Sequence, residues 1–365
     1  MKKVKLRMQK KTGDKNFLIL VISLVILGLI AVADVSAPQA LNTFGDKFYF
    51  LKQQLIWAGI GMVVLFITSK IHYSFWEKAA TPIFALSLVL LSIVLLPNLG
   101  FSALGARRWI SFGLFSLQPS ELIKLALIIY LAKVASKNKT PLSYFIPLIL
   151  VAGLIMLQPD LGTTIVVALI GFSQIFVSGV SLLYFGAAFI ISAISALLLI
   201  IFSPYRRDRL MTFFEVTRDP LGKSYHIRQI LLALGSGGLF GVGLGASRQK
   251  FLFLPESSTD SIFAVIGEEL GLIGGFAVII IFVYFLFKGL SIAKNAPDKF
   301  SQVTAVGITA WIAGQAFLNI ASMVNFVPLT GIPLPFFSYG GSSLVMILAG
   351  CGILLSISRY GTNEK

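Results

Sequence analysis

The chain has 365 residues, of which 56% are hydrophobic and only 12% are charged. An ordinary soluble domain carries charge on roughly a quarter of its residues, so this composition excludes a soluble enzyme and a disordered chain. It indicates an integral membrane protein instead. The net charge is +15, and a single cysteine with two histidines excludes an intramolecular disulfide and a Cys/His metal cluster.

Apolar stretches predict ten membrane-spanning helices, because a helix needs about 20 apolar residues to cross the hydrocarbon core. The basic segment 1–15 precedes an apolar run of 18 residues, which is longer than the apolar part of a usual signal peptide. We therefore expect a retained first helix, although Ala31-x-Ala33 resembles a cleavage motif. The predicted helices cover residues 16–33, 53–69, 79–106, 118–135 and 140–159, then two within 161–205, one over 262–287 and two within 300–358. The third of them stops at Pro97 and Gly100.

The positive-inside rule sets the orientation of these helices. Six segments assigned to the cytoplasm, both termini among them, together hold 17 Lys and Arg residues. The sequence therefore predicts an all-α integral membrane protein with about ten transmembrane helices and both termini in the cytoplasm. It divides into a basic tail (1–15), a single membrane domain (16–360) with a large outer loop (203–260) between the seventh and eighth spans, and a short tail (361–365). Because topology accounts for the basic residues, we expect no nucleic-acid partner.

With this topology, the polar and glycine-rich motifs all fall on the outer side. They are GARRWI (105–110), QPSELIK (118–124), QPDLGTT (158–164), the loop 203–260 and VPLTGIPLPFFSYGGSS (327–343). The inner connections are short, carry lysines and hold no comparable motif. We therefore predict a functional site on the outer face, at the membrane boundary.

Charged residues inside the predicted helices allow two interpretations. Glu121 and Lys124 are three residues apart, so they share one face near the outer end of the fourth helix. Charges in a membrane are costly and normally face a cavity or a partner. The two residues form either a structural ion pair or, for Lys124 together with Arg107–Arg108, a site for an anionic headgroup. In the eighth helix, at least one member of Glu268–Glu269 must face the protein interior.

The outer loop carries four further features. The segment PYRRDRL (204–210) brings three arginines directly after a membrane helix, where they either bind phosphate or snorkel to the lipid interface. Residues 224–234 predict a short amphipathic helix. The glycine run 235–245 would either cradle a pyrophosphate or serve close packing. Asp260 stands where the eighth helix begins, so it is either the N-cap of that helix or a general base beside the arginines.

Taken together, these motifs resemble the SEDS family (shape, elongation, division and sporulation). The matching segments are GARRWI, LQPSELIKLALI, QPDLGTT, PYRRDRL, DPLGKSYHIRQILLALGSGGLFGVGLGASRQKFLFLPESSTDSIFAVIGEELG and GIPLPFFSYGGSSL. They extend the resemblance over about residues 16–360. The segments GSGGLFGVGLGASRQKFLFLPE and LPFFSYGGSSL are more similar to the division branch (FtsW) than to the elongation branch (RodA).

The resemblance implies a peptidoglycan glycosyltransferase in the bacterial cytoplasmic membrane, surrounded by membrane lipid. Such an enzyme polymerises lipid II into a growing glycan strand at the outer face and releases undecaprenyl diphosphate. It works with a class B penicillin-binding protein, which is a transpeptidase. The family's essential aspartate falls on Asp260, and polar positions of its fourth-helix motif fall on Trp109, Glu121 and Lys124.

On this basis Asp260 is the predicted general base of an inverting transfer, which needs no general acid because diphosphate is a good leaving group. Candidate residues for holding the substrate or its diphosphate are Arg107, Arg108, Trp109, Glu121, Lys124, Gln158, Asp160, Arg206, Arg209, His226, Gln229, Lys250, Glu268, Ser338 and Tyr339. A divalent cation, Mg²⁺ or Mn²⁺, could share this role, but the sequence offers no dedicated ligand set. The chain departs from the family pattern at His226, where Gln is usual, and at Ser261, where Phe is usual.

Two other functions stay open as alternatives. A flippase or transporter of lipid-linked precursors would suit ten helices with intramembrane charges, but its charges should lie near the midplane rather than toward the outer end. A non-catalytic scaffold for a transpeptidase would need helix surfaces alone. The joint presence of Asp260, Arg107–Arg108, Glu121 and Lys124 favours a working site.

Overall fold

The computed structural model describes residues 13–96, 101–103, 106–112, 115–138, 140–215, 222 and 224–361. Its helices are α1 (Lys15–Val35), α2 (Ala37–Phe44), α3 (Tyr49–Lys70), α4 (Tyr73–Ile93), α5 (Pro119–Ser136), α6 (Leu142–Leu157), α7 (Leu161–Ser178), α8 (Leu182–Ile201), α9 (Pro204–Phe214), α10 (Tyr225–Gly237), α11 (Ile262–Lys294), α12 (Lys299–Met323) and α13 (Gly341–Ser358). Its strands are β1 (Phe101–Ala103), β2 (Ala106–Phe112) and β3 (Phe115–Leu117).

Each of the ten predicted spans corresponds to one helix in this part of the chain, and α2, α9 and α10 are additional short helices. Seven helices are long and apolar enough to cross a membrane. The three spans outside that set are α5, α6 and α8. Helix α5 carries three charged residues, and α6 has only 16 residues. In α8, the stretch whose side chains the structure describes without a gap is Leu182–Ser195, which is shorter than a full span. The protein is therefore a mostly helical, multi-pass membrane protein, as predicted.

A small sheet follows the third predicted helix, beyond its predicted stop at Pro97 and Gly100. Helix α4 ends at Ile93, and Phe101–Leu117 contains an antiparallel three-stranded sheet in the order β1-β2-β3. Trp109 pairs with Phe101, and Ile110 pairs with Leu117. The sequence did not predict this sheet, because hydropathy does not distinguish a span from a short apolar ribbon whose backbone pairs with itself.

Helices α12 and α13 lie at the centre of the bundle. Of their most apolar windows, 72% and 78% of residues are buried, against 22% for α3 and α4. Helices that are apolar on every side belong inside a bundle, whereas peripheral spans leave half of their surface to lipid. The polar residues of α12 are consequently enclosed by protein, and their hydrogen bonds must be made within it.

Helix α11 is kinked at Gly271, which has a left-handed φ of +66°. The glycine run packs against this kink, since a Cβ on Gly237 or Gly241 would collide with the backbone of α11. The backbone N–H groups of Val242 and Gly243 donate to carbonyl oxygens of Glu268 and Glu269 at 3.0 Å. The close-packing interpretation of the run is confirmed. A pyrophosphate cradle is wrong for these amides, because they already have partners within the protein.

The bundle has two ends of different character. At one end, Lys288 lies 3.5 Å from Asp14, and the Tyr73 hydroxyl donates to Asp298 at 2.7 Å. These contacts join elements assigned to the cytoplasm. The sheet, the loop with α9 and α10, and the turns after α6 and α12 meet at the opposite end. The tertiary structure thus brings the predicted outer motifs together.

Candidate active site

A cavity of about 390 Å³ lies at this motif-bearing end. Helices α9 and α10 form one side of it, and the segments before α11 and after α12 form the other. The lining residues are Asp208, Arg209, Thr212, Phe213, His226, Ile227, Glu256, Asp260, Met323, Asn325, Leu329 and Gly331. Acidic, basic and apolar groups therefore share one chamber, an arrangement typical of a small-molecule or substrate site.

Asp260 lies in the wall of this cavity, and its position is fixed by backbone contacts. The Asn319 side-chain amide of α12 donates to the carbonyl oxygens of Asp260 and Ile332, each at 2.8 Å. Gly331 has a φ of +67°, and a Cβ there would come within 3.3 Å of the Asp260 Oδ2. The N-cap position of α11 belongs to Ser261, and no side chain caps it. The N-cap interpretation of Asp260 is therefore wrong.

The environment of Asp260 favours its neutral form. Burial, and then the negative charges of Glu256 and Asp160, raise its pKa from 3.8 to about 7. The guanidinium groups of Arg209 and Arg108 act in the opposite direction but do not outweigh these effects. A carboxyl group that titrates near neutral pH is suited to take up and release a proton during a reaction.

The predicted arginines differ in how they are held. Arg209 reaches the cavity from α9 and donates from Nη1 to the carbonyl oxygens of Leu329 and Thr330, at 3.1 and 3.4 Å. It thereby ties α9 to the wall that contains Gly331. Arg206 lies on the same helix and Arg107 on β2, but their side chains fall outside the described part of the structure.

Arg108, Gln158 and Asp160 form a strap between the sheet and the turn from α6 to α7. Arg108 donates from Nε to the Gln158 carbonyl at 3.2 Å and from Nη2 to the Pro159 carbonyl at 2.6 Å. Its Nε lies 3.8 Å from the Asp160 carboxylate, which caps α7 by accepting from the Thr163 N–H at 3.0 Å. Arg108 and Asp160 influence the charge at Asp260 without lining the cavity.

Glu121 and Lys124 form the predicted ion pair, at 2.8 Å, and both side chains are almost fully buried. Lys124 also donates to Gln315 Oε1 at 3.0 Å and lies over the Trp311 ring, 5.1 Å from its centroid. Gln315 in turn donates to the Pro333 carbonyl at 3.0 Å. The geometry favours the structural interpretation: Lys124 is enclosed by protein and supports the segment that contains Gly331, rather than facing the cavity.

Lys250 and Glu268 belong to a second group of charges, which we call the Lys250 cluster (Asp34, Ser247, Lys250, Glu268 and Glu269). Lys250 Nζ lies 2.8 Å from Asp34 and 2.7 Å from Glu269. Glu268 accepts hydrogen bonds from the Ser247 hydroxyl and from the Arg248 N–H. The cluster fastens the outer loop to α1 and α11. The predicted contact of Lys250 and Glu268 with substrate has no support in this geometry, since neither residue lines the cavity.

Ser338 and Tyr339 hold the chain just before Asp260. The Ser338 hydroxyl donates to the Thr259 carbonyl, and the Tyr339 N–H donates to the Ser258 carbonyl at 2.9 Å. Both residues thus position the segment that carries the carboxylate. The remaining predicted residues are His226, which lines the cavity, and Trp109 and Gln229, which are half-buried and do not line it.

The sequence reasoning missed several polar residues of the site region, among them Asp34, Asp208, Glu256, Gln315 and Asn319. Asp34 is the only acidic residue in the long apolar helix α1, and Glu256 belongs to the matched LPE segment. Asn319 follows Gln315 by one helical turn in a charge-free stretch. A search for polar residues that share one helical face of this stretch would have identified both Gln315 and Asn319. Asp208 carried no comparable signal beside its arginine neighbours.

The described residues contain no group of three or more His, Cys, Asp or Glu side chains arranged to hold a metal ion. Asp260 and Glu256 line the same cavity and could accept a cation only together with ligands that the substrate supplies. The predicted role of a divalent cation is therefore not built into this part of the chain, and we derive no step through it.

The sequence profile of the FtsW/RodA/SpoVE family, described as "Cell cycle protein", matches residues 14–363. The chain belongs to this family. Stage V sporulation protein E of Bacillus subtilis (strain 168) is a relative with 42% identity over 360 residues, which cover 96% of this chain and 98% of that protein. A probable peptidoglycan glycosyltransferase FtsW of Trichlorobacter lovleyi is 38% identical over 353 residues, which cover 94% of this chain and 93% of that protein.

Solved structures of the FtsW/RodA/SpoVE family share the fold. One is a chain of a peptidoglycan synthase complex that coordinates polymerization and crosslinking. It has a TM-score of 0.78 at 28% identity, and the match covers 95% of this chain and 98% of that chain. Thermus thermophilus RodA has a TM-score of 0.71 at 26% identity, with 96% and 98% covered. The predicted family and the predicted all-α membrane fold are both confirmed.

Proposed function

We propose that this chain is a peptidoglycan glycosyltransferase that polymerises lipid II, with Asp260 as the general base. The observation that carries the proposal is the Asp260 carboxyl group, which lies in the wall of the cavity and has a pKa of about 7. The positive charges of Arg209 and Arg108 act on this group. Such a group is ionised often enough to accept a proton and basic enough to hold it. The printed name of the FtsW relative points to the same reaction.

The reaction follows from what one carboxylate can do. The acceptor would be the 4-hydroxyl of the GlcNAc unit of an incoming lipid II, and the donor the anomeric carbon of the growing strand. Asp260 takes the hydroxyl proton as the new carbon–oxygen bond forms. The bond from the anomeric carbon to the diphosphate breaks on the opposite face, with inversion. Undecaprenyl diphosphate leaves with the bonding electron pair and needs no proton, so one carboxylate is sufficient.

Arg209 is the residue best suited to stabilise the departing diphosphate. It lines the same cavity as Asp260, and its contacts with the carbonyls of Leu329 and Thr330 orient its guanidinium group before substrate arrives. A fixed cation that need not reorganise lowers the energy of developing negative charge more than a mobile one does. Arg108, which the strap holds outside the cavity, adds a positive charge at longer range.

We further propose that the cavity opens on the outer face of the bacterial cytoplasmic membrane. The motifs gather at the end of the bundle opposite the basic segments, and the positive-inside rule assigns those segments to the cytoplasm. A class B penicillin-binding protein is the proposed partner, because the solved relative comes from a complex that coordinates polymerization and crosslinking. The named relatives favour a role in division or sporulation.

The test uses the full chain, wild type and Asp260→Asn, reconstituted in liposomes with lipid II and a class B partner. Asn preserves the size of the side chain but cannot accept the proton as a base. We expect glycan polymer on a gel from the wild type and none from a variant that retains the wild-type melting temperature. Equal amounts from both would contradict the role of Asp260.

Absence of polymer from either protein, with the partner present, would contradict the polymerase. A lipid-flipping assay on the same liposomes then tests the transporter alternative. The Asp260–Arg209 cavity at one end of the bundle argues against transport, because a transporter needs its charges near the midplane.

A further inference from the structure

The two positions at which this chain departs from the family pattern are in contact. His226 projects from α10, and its Nε2 lies 2.8 Å from the hydroxyl oxygen of Ser261. Ser261 directly follows Asp260 in the chain and is fully buried. His226 lines the cavity beside Asp260. A histidine on a separate helix therefore contacts the residue next to the proposed base.

The hydrogen bond of the His226 ring is the one to the Ser261 hydroxyl, and its direction depends on the tautomer of the imidazole. In either direction it links α10 to the residue next to Asp260. The backbone carbonyl of Pro255, at the other end of this segment, is among the groups that act on the pKa of His226.

The segment between Pro255 and Ser261 has a backbone that needs outside support. Glu256 has a left-handed φ of +50°, an unfavourable conformation for a residue with a side chain. The N–H groups of Thr259 and Ser261 both donate to its carbonyl, at 3.2 and 3.1 Å, so the segment forms a tight coil. Ser338, Tyr339 and Asn319 hold this coil from one side, as described above. His226 is the contact from the cavity side.

We propose that His226 is a positioning residue that links α10 to Ser261, the last residue of this coil, and so holds the Asp260 carboxyl against the wall formed by Gly331. The role extends the proposed function, because it matters for catalysis only if Asp260 is the base. His226 acts through Ser261 and the coil, and it takes no part in the proton transfer itself.

The charged groups around Asp260 and His226 determine what loosening the coil would do. Asp208 and Arg209 face the cavity from α9, and Glu256 faces it from the coil. Asp160 and Arg108 act on Asp260 from across the strap, while the wall of Leu329 and Gly331 contributes no charge. Burial is the main reason why the Asp260 pKa is high. A mobile coil admits water, and the carboxyl then titrates closer to its ordinary value.

The experiment compares His226→Ala, Ser261→Ala, their double variant and His226→Gln in the liposome assay. We expect the rate on the high-pH plateau to fall by about tenfold in each Ala variant, since each loses a hydrogen bond that fixes the coil. The midpoint of the pH–rate profile should also move below 7 in both. The double variant should be no worse than the more affected single one, because the two side chains act as one unit.

His226→Gln separates positioning from a general loss of stability. A glutamine amide has a donor and an acceptor and can therefore hydrogen-bond to the Ser261 hydroxyl as the imidazole does. We expect this variant to recover most of the plateau rate and of the pH midpoint. Leu232→Ala is the matched control, because Leu232 is an uncharged residue on the same helix with a half-exposed side chain.

Hydrogen–deuterium exchange of the amides in 255–261 measures the coil directly, in the same liposomes. Faster exchange in both Ala variants but not in His226→Gln is the expected result. Wild-type exchange and a wild-type pH midpoint in His226→Ala would overturn the proposal, as would equal changes in Leu232→Ala. If the wild type makes no polymer, the proposed function fails, yet the exchange data still decide whether His226 holds the coil.

Discussion

The Lys250 cluster and the Asp260 cavity both include residues of the loop 203–260, yet their carboxylates are in opposite environments. In the cluster, Lys250 contacts Asp34 and Glu269 at 2.8 and 2.7 Å, and backbone N–H groups with a hydroxyl satisfy Glu268. At the cavity, burial and the carboxylates of Glu256 and Asp160 raise the pKa of Asp260 more than Arg209 and Arg108 lower it, so the pKa rises to about 7. A carboxylate whose negative charge is fully paired holds the structure in place, whereas one whose charge is only partly compensated remains available for proton transfer.

We expect the largest effect on activity from a substitution in the Asp260 cavity. Asp260→Asn removes the only proton acceptor that the mechanism uses, and general-base catalysis contributes about 10²–10⁴-fold to a rate. We expect polymerisation to fall by about 10³-fold, with no loss of melting temperature. A residual rate above one tenth of the wild type, measured on folded protein, would make Asp260 a structural residue like those of the cluster.

The cluster side should respond in stability instead. Lys250→Met keeps the length of the side chain but leaves Asp34 and Glu269 without their cation in a mostly buried site, at a cost of about 3 kcal/mol. Thermal unfolding in detergent should show a clear drop in melting temperature. Lys52→Met is the matched control, because Lys52 pairs with Asp46 at the same 2.7 Å but in an exposed position. It should change nothing measurable. Equal drops would remove the distinction between the two pairs.

A smaller change tests how closely the cavity wall approaches the carboxyl. Gly331→Ala introduces a Cβ at a left-handed φ and within 3.3 Å of the Asp260 Oδ2. The conformational strain costs about 1–2 kcal/mol. We expect the polymerisation rate to fall by about tenfold, because the carboxyl must move. Gly235→Ala, at a helical glycine with open space around it, provides the control. An unchanged rate in Gly331→Ala would mean that the wall does not position Asp260.

A dependence of stability on pH sharpens the comparison without abolishing any contact. The folded pKa of Asp260 is about 7 and its ordinary value is 3.8. Between these values the folded chain keeps the proton while the unfolded chain loses it, so the contribution of Asp260 to stability falls as the pH rises. The melting temperature of Asp260→Asn relative to the wild type should therefore increase from pH 4 to pH 7 and stay level above. A constant difference would contradict the raised pKa.

The sequence could predict those parts of the protein that depend on nearby residues. Ten helices followed from the lengths of the apolar runs, because each span must be apolar over about 20 residues. The Glu121–Lys124 ion pair followed from a spacing of three residues on one helix. The position of Asp260 at the start of a helix and beside arginines predicted either an N-cap or a general base, and the family resemblance selected the base. The sheet at Phe101–Leu117 was missed because hydropathy does not reveal which backbone groups pair.

The tertiary structure decided which polar groups meet. Lys250 was predicted to touch substrate, yet its partner Asp34 is 216 residues away in the chain. Asn319 reaches the Asp260 carbonyl across 59 residues, and nothing local marks either contact. Hydropathy and helical spacing are properties of neighbouring residues, so the sequence by itself determined the spans and their order. Charge compensation depends on groups that only folding brings within a few ångströms, and it separates a carboxylate that holds the loop from one that can accept a proton.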